Sequence, residues 1–450
     1  RRPAPFITKG GQSIMKTPLR CGAARREITP DASWYPLYAG FFTEEIGDNY
    51  LVGALDPQFA RAIAVANDET TVLLVSMDLG AVHYGPDMAR AIAEQTGVDE
   101  KSVFLIATHT HNVPALGHGK RLKDDANFQR FMAVKPEIAA HQLQYEQRVW
   151  DGVISAAKEA VSSLRPARMG IGYSESYVNV NRDQIYDGNG KFHMGYNGAG
   201  HSDKTLALIR FTDAEDNTIA VFANYAVHAI VMFLNRCIDG KGGSTGDLPG
   251  VVCNAYETYH PGTVCMWSPA ANGNQNPIFM TYYGYPDFKT GLVVESTVEG
   301  GAYEYLTVLA GRHYADLLRA EKSITDYVDK IELRSERVAQ MVPVNKDIPP
   351  RFGSMEGDQE GYERLYTSGV MLGNVFLYGI GGELYSNVGA YLKEISPYRH
   401  TLICSQCYTT AGYLMDDENL LAPTLFAVRT RWLPGTIVPA LEKFLKEFTS

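Results

Sequence analysis

The sequence predicts an α/β fold, with a mixed β-sheet core flanked by helices, on three observations. Apolar runs of strand length alternate with stretches of helical spacing. One such alternation, strand then helix then strand, ends in a histidine pair at a strand's carboxyl end, where open α/β sheets place ligands. No apolar run approaches the roughly 18 to 20 residues needed to span a bilayer, so no integral membrane segment is expected. At 450 residues the chain can bury one large core or two smaller ones.

Taken in order, residues 1–14 show neither an apolar h-region nor a periodic pattern and are expected to be a non-native or disordered leader before a native start at Met15. Residues 15–450 then form one catalytic domain. On that reading no signal peptide precedes the fold and the cytoplasm is the simplest compartment; a secreted or periplasmic location follows if a signal peptide has been removed. Residues 70–77 are a β-rich apolar run, 86–95 have helical spacing and 102–107 are a second buried strand, which together make a βαβ unit. A long amphipathic helix is expected over 142–164, where Val149, Val153, Ala157, Ala160 and Val161 recur at threes and fours before Pro166 ends it. Strands follow near 169–173, 206–211 and 219–225, the last two a hairpin across the polar 213–217 turn. A helix over 302–320, strands at 331–335 and 375–380, and a closing helix over 438–447 complete the list. No repeat of 20 to 50 residues is visible. The stretch 240–301, dense in glycine, asparagine and tyrosine, reads as an ordered functional loop region in which Tyr282, Tyr283 and Tyr285 offer an aromatic wall.

With 41 basic and 51 acidic residues the net charge is −10, the opposite of the basic footprint that phosphate neutralisation requires, so nucleic acid is excluded as a partner class. Composition does not speak to oligomeric state. Six cysteines are too few and scattered for a disulfide framework, and the single Cys404-x-x-Cys407 lacks the second pair of a zinc knuckle, which leaves it to packing.

The chemistry rests on histidine. His109 and His111, one residue apart on an extended segment, point to the same face and suit convergence on one metal or one substrate. His228 ends the apolar run 221–227, and Glu383 follows Gly381-Gly382 past the run 375–380. Zinc takes histidine nitrogen and carboxylate oxygen, and His109, His228 and Glu383 form a sufficient donor set if the fold gathers them. The rival enzyme class is a serine hydrolase, but no G-x-S-x-G occurs; neither does a P-loop or a strand-linked G-x-G-x-x-G.

These residues resemble the neutral/alkaline non-lysosomal ceramidase family, zinc-dependent amidases whose catalytic domain opens on Gly-Ala-x-x-x-x-Ile-Thr-Pro. Here Gly22-Ala23-Ala24-Arg25-Arg26-Glu27-Ile28-Thr29-Pro30 stands at that place. The resemblance continues through Ala60-Arg61-Ala62, Asp78-Leu79-Gly80, Thr108-His109-Thr110-His111, Asn181-Arg182, Asn224-Tyr225-Ala226-Val227-His228, Thr245-Gly246-Asp247, Gly381-Gly382-Glu383 and Gly412-Tyr413. It implies zinc held by His109, His228, Glu383 and Tyr413, with Tyr408 the neighbouring alternative for the fourth ligand. It also places His111 and Arg182 at the reacting centre, and gives Tyr413 a share in catalysis. Three departures bear on the substrate. The family's Gly-Asp-x-Ser/Thr-Pro is Gly273-Asn274-Gln275-Asn276-Pro277, its His-Ser-Gly-Pro-Gly is His111-Asn112-Val113-Pro114-Ala115, and the usual C-terminal immunoglobulin-like domain has no counterpart in the sequence. The expectation is therefore hydrolysis of a linear N-acyl amide by metal-activated water, on a small-molecule substrate smaller or more polar than ceramide, with Asn112, Asn276 and Arg182 choosing it. A zinc esterase or lactonase using the same residues, and a noncatalytic metal-binding protein, are the alternatives.

Overall fold

The computed structural model describes residues 16–40, 47–117, 121–185, 192–286, 289–290, 293–298, 301–348, 359–422, 424, 426–427 and 430–449; the leader expected over 1–14 lies outside them. Strands β1 (Arg20–Glu27), β2 (Phe59–Ala66) and β3 (Thr71–Met77) run antiparallel in sequence, helix α1 (Gly85–Thr96) crosses over, and β4 (Val103–Ala107) pairs parallel to β3. The βαβ unit read from the sequence is this β3-α1-β4 crossover. Local chemistry sets its ends: Asn67 Oδ1 accepts from the N–H groups of Glu69 and Thr70 to close the β2–β3 turn. Pro86 opens α1, and Gly97, at φ 74°, closes it in the left-handed conformation. Helix α2 (Pro136–Ser162) then lies across β1 and β2. It starts earlier than the sequence suggested, because Gln142 and Glu146 are buried polar residues that break the apolar period. Their partners are the backbone of Tyr38 and Ala115 for one, and Tyr84, Leu122 and Arg121 for the other.

The same path is drawn twice more. β5 (Arg168–Glu175), β6 (Thr205–Thr212) and β7 (Thr218–Tyr225) are antiparallel, α3 (Asp247–Tyr259) crosses over to a parallel β8 (Val264–Pro269), and α4 (Ala302–Lys322) packs back on β5 and β6. β9 (Leu333–Pro343), β10 (Tyr362–Leu372) and β11 (Val375–Ile380) are antiparallel, α5 (Ser386–Ile395) crosses to a parallel β12 (His400–Cys404), and α6 (Ile437–Thr449) packs back on β9 and β10. The chain is thus three β-β-β-α-β-α units. The first two share a packing detail: a Cβ at Gly22 of β1 or Gly172 of β5 would overlap the Ala160 or Ala320 carbonyl oxygen at the end of the closing helix, beside Ser163 or Ser323. Residues 240–301, read as a loop region, contain α3 and β8. α3 escaped notice because it opens on Gly246-Asp247 and carries Pro249 and Gly250, and β8 because it is buried throughout and shows no alternation.

The three sheets meet around one centre through buried hydrogen bonds. Ser76 Oγ donates to Trp267 O at 3.0 Å, Asn224 Nδ2 donates to Ile403 O at 2.8 Å, and the segment after β12 bridges β4 through Ile106 and Cys407. Cys404 and Cys407 are buried packing residues here, and all six cysteines are unpaired. The turns that leave the carboxyl ends of β4, β7, β8, β11 and β12 carry the residues discussed next. Among the described residues no helix is long and apolar enough to cross a membrane.

Candidate metal centre

His109 follows β4 by two residues, at φ 69°, and is buried. Its Nδ1 lies 2.5 Å from Gly80 O, in the turn after β3. His228 follows β7 by three residues and is fully buried, with Nδ1 2.7 Å from Asn272 O in the turn after β8. A carbonyl oxygen only accepts, so both Nδ1 atoms carry the proton and both Nε2 atoms face inward with a lone pair when the rings are neutral. Glu383, after β11, presents Oε2 to them, 3.0 Å from His228 Nε2 and 3.6 Å from His109 Nε2. A two-residue parallel ladder, Glu383–Leu384 on Tyr413–Leu414, brings Tyr413 alongside.

Electrostatics favours neutral His228 and ionised Glu383. Burial, and then the Arg182 guanidinium, push the His228 imidazolium pKa down to about 3. Burial alone would raise the Glu383 carboxyl, but the facing His109 and His228 outweigh it and hold the group well below the usual carboxylate range. One carboxylate oxygen and two imidazole Nε2 atoms converge here, each ring anchored through Nδ1 to a backbone carbonyl, and that donor set fits a divalent cation. His111 brings a third imidazole: His109, His111 and His228 offer nitrogens that all lie within 4.8 Å of one another, and His111 Nε2 is 3.3 Å from His109 Nε2. His111 alone of the three is exposed. The protein atoms crowded around its ring, then His109 and His228, disfavour its charged form.

Arg182, on the strand Asn179–Ile185, is buried and spans the centre. Nη2 donates to Gly273 O at 2.6 Å and to Tyr413 Oη at 3.2 Å and lies 3.2 Å from His228 Nε2, and Nη1 donates to Asn276 Oδ1 at 3.3 Å. The guanidinium lies over the Phe426 ring, 4.1 Å from its centroid. Asn276 therefore orients Arg182 from a buried position. Tyr413, not Tyr408, is the tyrosine at the centre: Tyr408 stacks under Arg337 against Tyr366 in the core.

Asn112 is the correction. It was expected to face substrate, but its amide is buried and donates to Asp247 Oδ2 at 3.3 Å while accepting from Asn235 Nδ2 at 3.4 Å. Sequence reasoning also missed Phe233, whose ring meets His111 edge-on at 5.8 Å and Tyr282 at 5.7 Å. It missed the orienting carbonyls of Gly80 and Asn272 as well, since backbone groups leave no residue-type signal. Of the aromatic wall expected around Tyr282, the side chains of Tyr283 and Tyr285 lie outside the described residues.

The sequence model described as "Neutral/alkaline non-lysosomal ceramidase, N-terminal" matches residues 48–263. The neutral ceramidase of Pseudomonas aeruginosa is 26% identical over 223 residues, 48% of this chain and 31% of that protein. The neutral ceramidase of Drosophila melanogaster is 27% identical over 184 residues, 39% of this chain and 24% of that one. The matched stretches thus span less than a third of those relatives' lengths. A crystal structure of neutral ceramidase from Pseudomonas aeruginosa superposes with a TM-score of 0.69 at 16% identity, covering 96% of this chain and 74% of that one, which carries the likeness of fold through the third unit. The chain is thus similar to the neutral/alkaline non-lysosomal ceramidase family in sequence over residues 48–263, and to a neutral ceramidase in fold over nearly its whole length.

Proposed function

We propose that this protein is a zinc-dependent hydrolase of linear N-acyl amides. The observation that carries the proposal is the facing of the Glu383 carboxylate and the two inward Nε2 atoms of His109 and His228, three donors from three separate turns. Those residues would hold the ion, with Tyr413 beside them; zinc so held supplies Lewis acidity toward a carbonyl and a lowered pKa for water.

The chain's own groups account for the rest. His111, open to the cleft while its neighbours are buried, is the group placed to take a proton from the attacking water and return it to the departing amine nitrogen. Arg182 has a buried Nε without a partner, a donor available to the oxygen that gains charge as the amide carbon becomes tetrahedral, or to the carboxylate released. Phe233 and Tyr282 give an apolar edge beside His111 that suits an acyl chain. The unpartnered, buried Asn272 Oδ1 and the Asn276 amide on Arg182 add polar groups around the centre. We place the preferred substrate among amides smaller or more polar than ceramide on that ground.

The test is a panel of N-acyl amino acids, N-acyl amines, ceramide and matched esters, assayed with and without chelation and zinc return. The expected result is zinc-restored cleavage with the highest kcat/KM on a short or polar N-acyl amide. A higher kcat/KM on ceramide overturns the substrate assignment, and cleavage of the esters alone overturns the amidase.

A further inference from the structure

The Thr245-Gly246-Asp247 stretch takes no part in the chemistry above, yet it joins the two turns that bear the histidines. Thr110 lies between His109 and His111, and its Oγ1 donates to Thr245 O at 2.9 Å. Thr245 N in turn donates to Asn112 O at 2.8 Å. Asp247, fully buried and at φ 53°, then reaches both turns. Its Oδ1 accepts from Val231 N at 3.1 Å and Leu248 N at 2.7 Å, and its Oδ2 accepts from Met232 N at 2.9 Å and Asn112 Nδ2 at 3.3 Å. Val231 and Met232 lie three and four residues past His228 and lead into Phe233, the ring that meets His111.

Asp247 opens α3, so helix capping is the rival account of its carboxylate. Capping would engage the helix's own N–H groups, and only Leu248 N belongs to α3; the other three donors come from the two histidine turns.

We infer that Asp247 is a positioning residue that clamps the His109/His111 turn to the His228 turn, fixing the spacing of the imidazoles on which metal affinity depends. This rests on the metal reading of the site given above. Partners behind metal ligands typically carry about 10- to 100-fold in metal affinity or activity.

The experiment measures zinc Kd by chelator competition, and kcat and KM on the best N-acyl amide, for the folded wild type, Asp247→Asn and Asn112→Ala, with circular dichroism to establish folding. Asp247→Asn keeps the size but turns an N–H donor toward backbone N–H groups. Its expected zinc Kd is at least about 10-fold weaker, with lower kcat. Asn112→Ala cuts one tie and is expected to weaken zinc less, and the double variant to be no worse than Asp247→Asn, since both act through one link. A purely structural Asp247 would lower thermal stability while leaving the zinc Kd of the folded protein unchanged, which overturns the inference. If Asp247→Asn does not fold, Asn112→Ala decides alone: wild-type Kd and kcat overturn it. A wild type that binds no zinc removes the metal reading and this inference with it, whereas zinc-binding wild type with unaffected variants removes this inference only.

Discussion

At the residue scale, one short segment explains both what the sequence disclosed and what it concealed. In Thr108-His109-Thr110-His111-Asn112 the two imidazoles converge on the centre while Thr110 and Asn112 reach Thr245 and Asp247, and His109 at φ 69° departs from the extended backbone expected there. His109, His228 and Glu383 were legible because a polar residue just past a buried strand stands out. Arg182 and Tyr413 sit on short segments without such context, and only the family resemblance singled them out. If three donors hold one ion, His109→Ala and Glu383→Gln should each lose zinc and lower kcat by at least about 100-fold with the fold retained. Activity assays beside circular dichroism on both variants check this, and a folded, zinc-free His109→Ala with wild-type turnover would show that the histidine is structural. Away from the centre, His313 is fully buried, accepts from Trp267 Nε1 at 3.3 Å and pairs with Ser176 Oγ at 2.9 Å. Burial lowers its pKa to about 3. Between that value and the ordinary imidazole range of about 6.5, the unfolded chain binds a proton that the folded one does not, so this residue's contribution falls as pH drops. Relative to His313→Gln, wild-type stability should therefore change more steeply by up to about 1.4 kcal/mol per pH unit across that window, in denaturant titrations at several pH values.

At the element scale, strands with apolar runs and helices with a clean apolar face were readable, and β11 matches its sequence reading from end to end. β1 and β10 were not. β1, Arg20–Glu27, carries four charged residues in eight, and β10 mixes polar and apolar residues where only part of it is buried. Their strand state is imposed by neighbours on either side, an influence that local sequence does not display. The glycines on the first strands of the first two units make this tertiary demand measurable. Gly22→Ala and Gly172→Ala each drive a methyl into a helix-end carbonyl, and each should cost about 1 to 3 kcal/mol. Gly97→Ala meets open space but a left-handed φ of 74°, and should cost about 1 kcal/mol. Urea midpoints for the three variants test the ranking.

At the scale of the whole molecule, the threefold β-β-β-α-β-α path explains why one site draws on segments scattered along the chain. Each unit ends its two parallel strands at the same place: the first contributes His109 and His111, the second His228 and the Asn272 carbonyl, the third Glu383 and Tyr413. Within the first two units one turn supplies a histidine and the other the carbonyl that orients it, Gly80 for His109 and Asn272 for His228. No repeat was visible in the sequence because the units are long, their loops differ, and what they preserve is strand direction and packing rather than residue identity. The central claim is that these three turns make one zinc site that hydrolyses an amide. It is tested most directly by metal analysis of the purified protein together with turnover of an N-acyl amide before and after chelation and zinc return. The account predicts one zinc per chain, absent from His109→Ala, with turnover abolished by chelation and restored by zinc; full turnover by metal-free protein would contradict it.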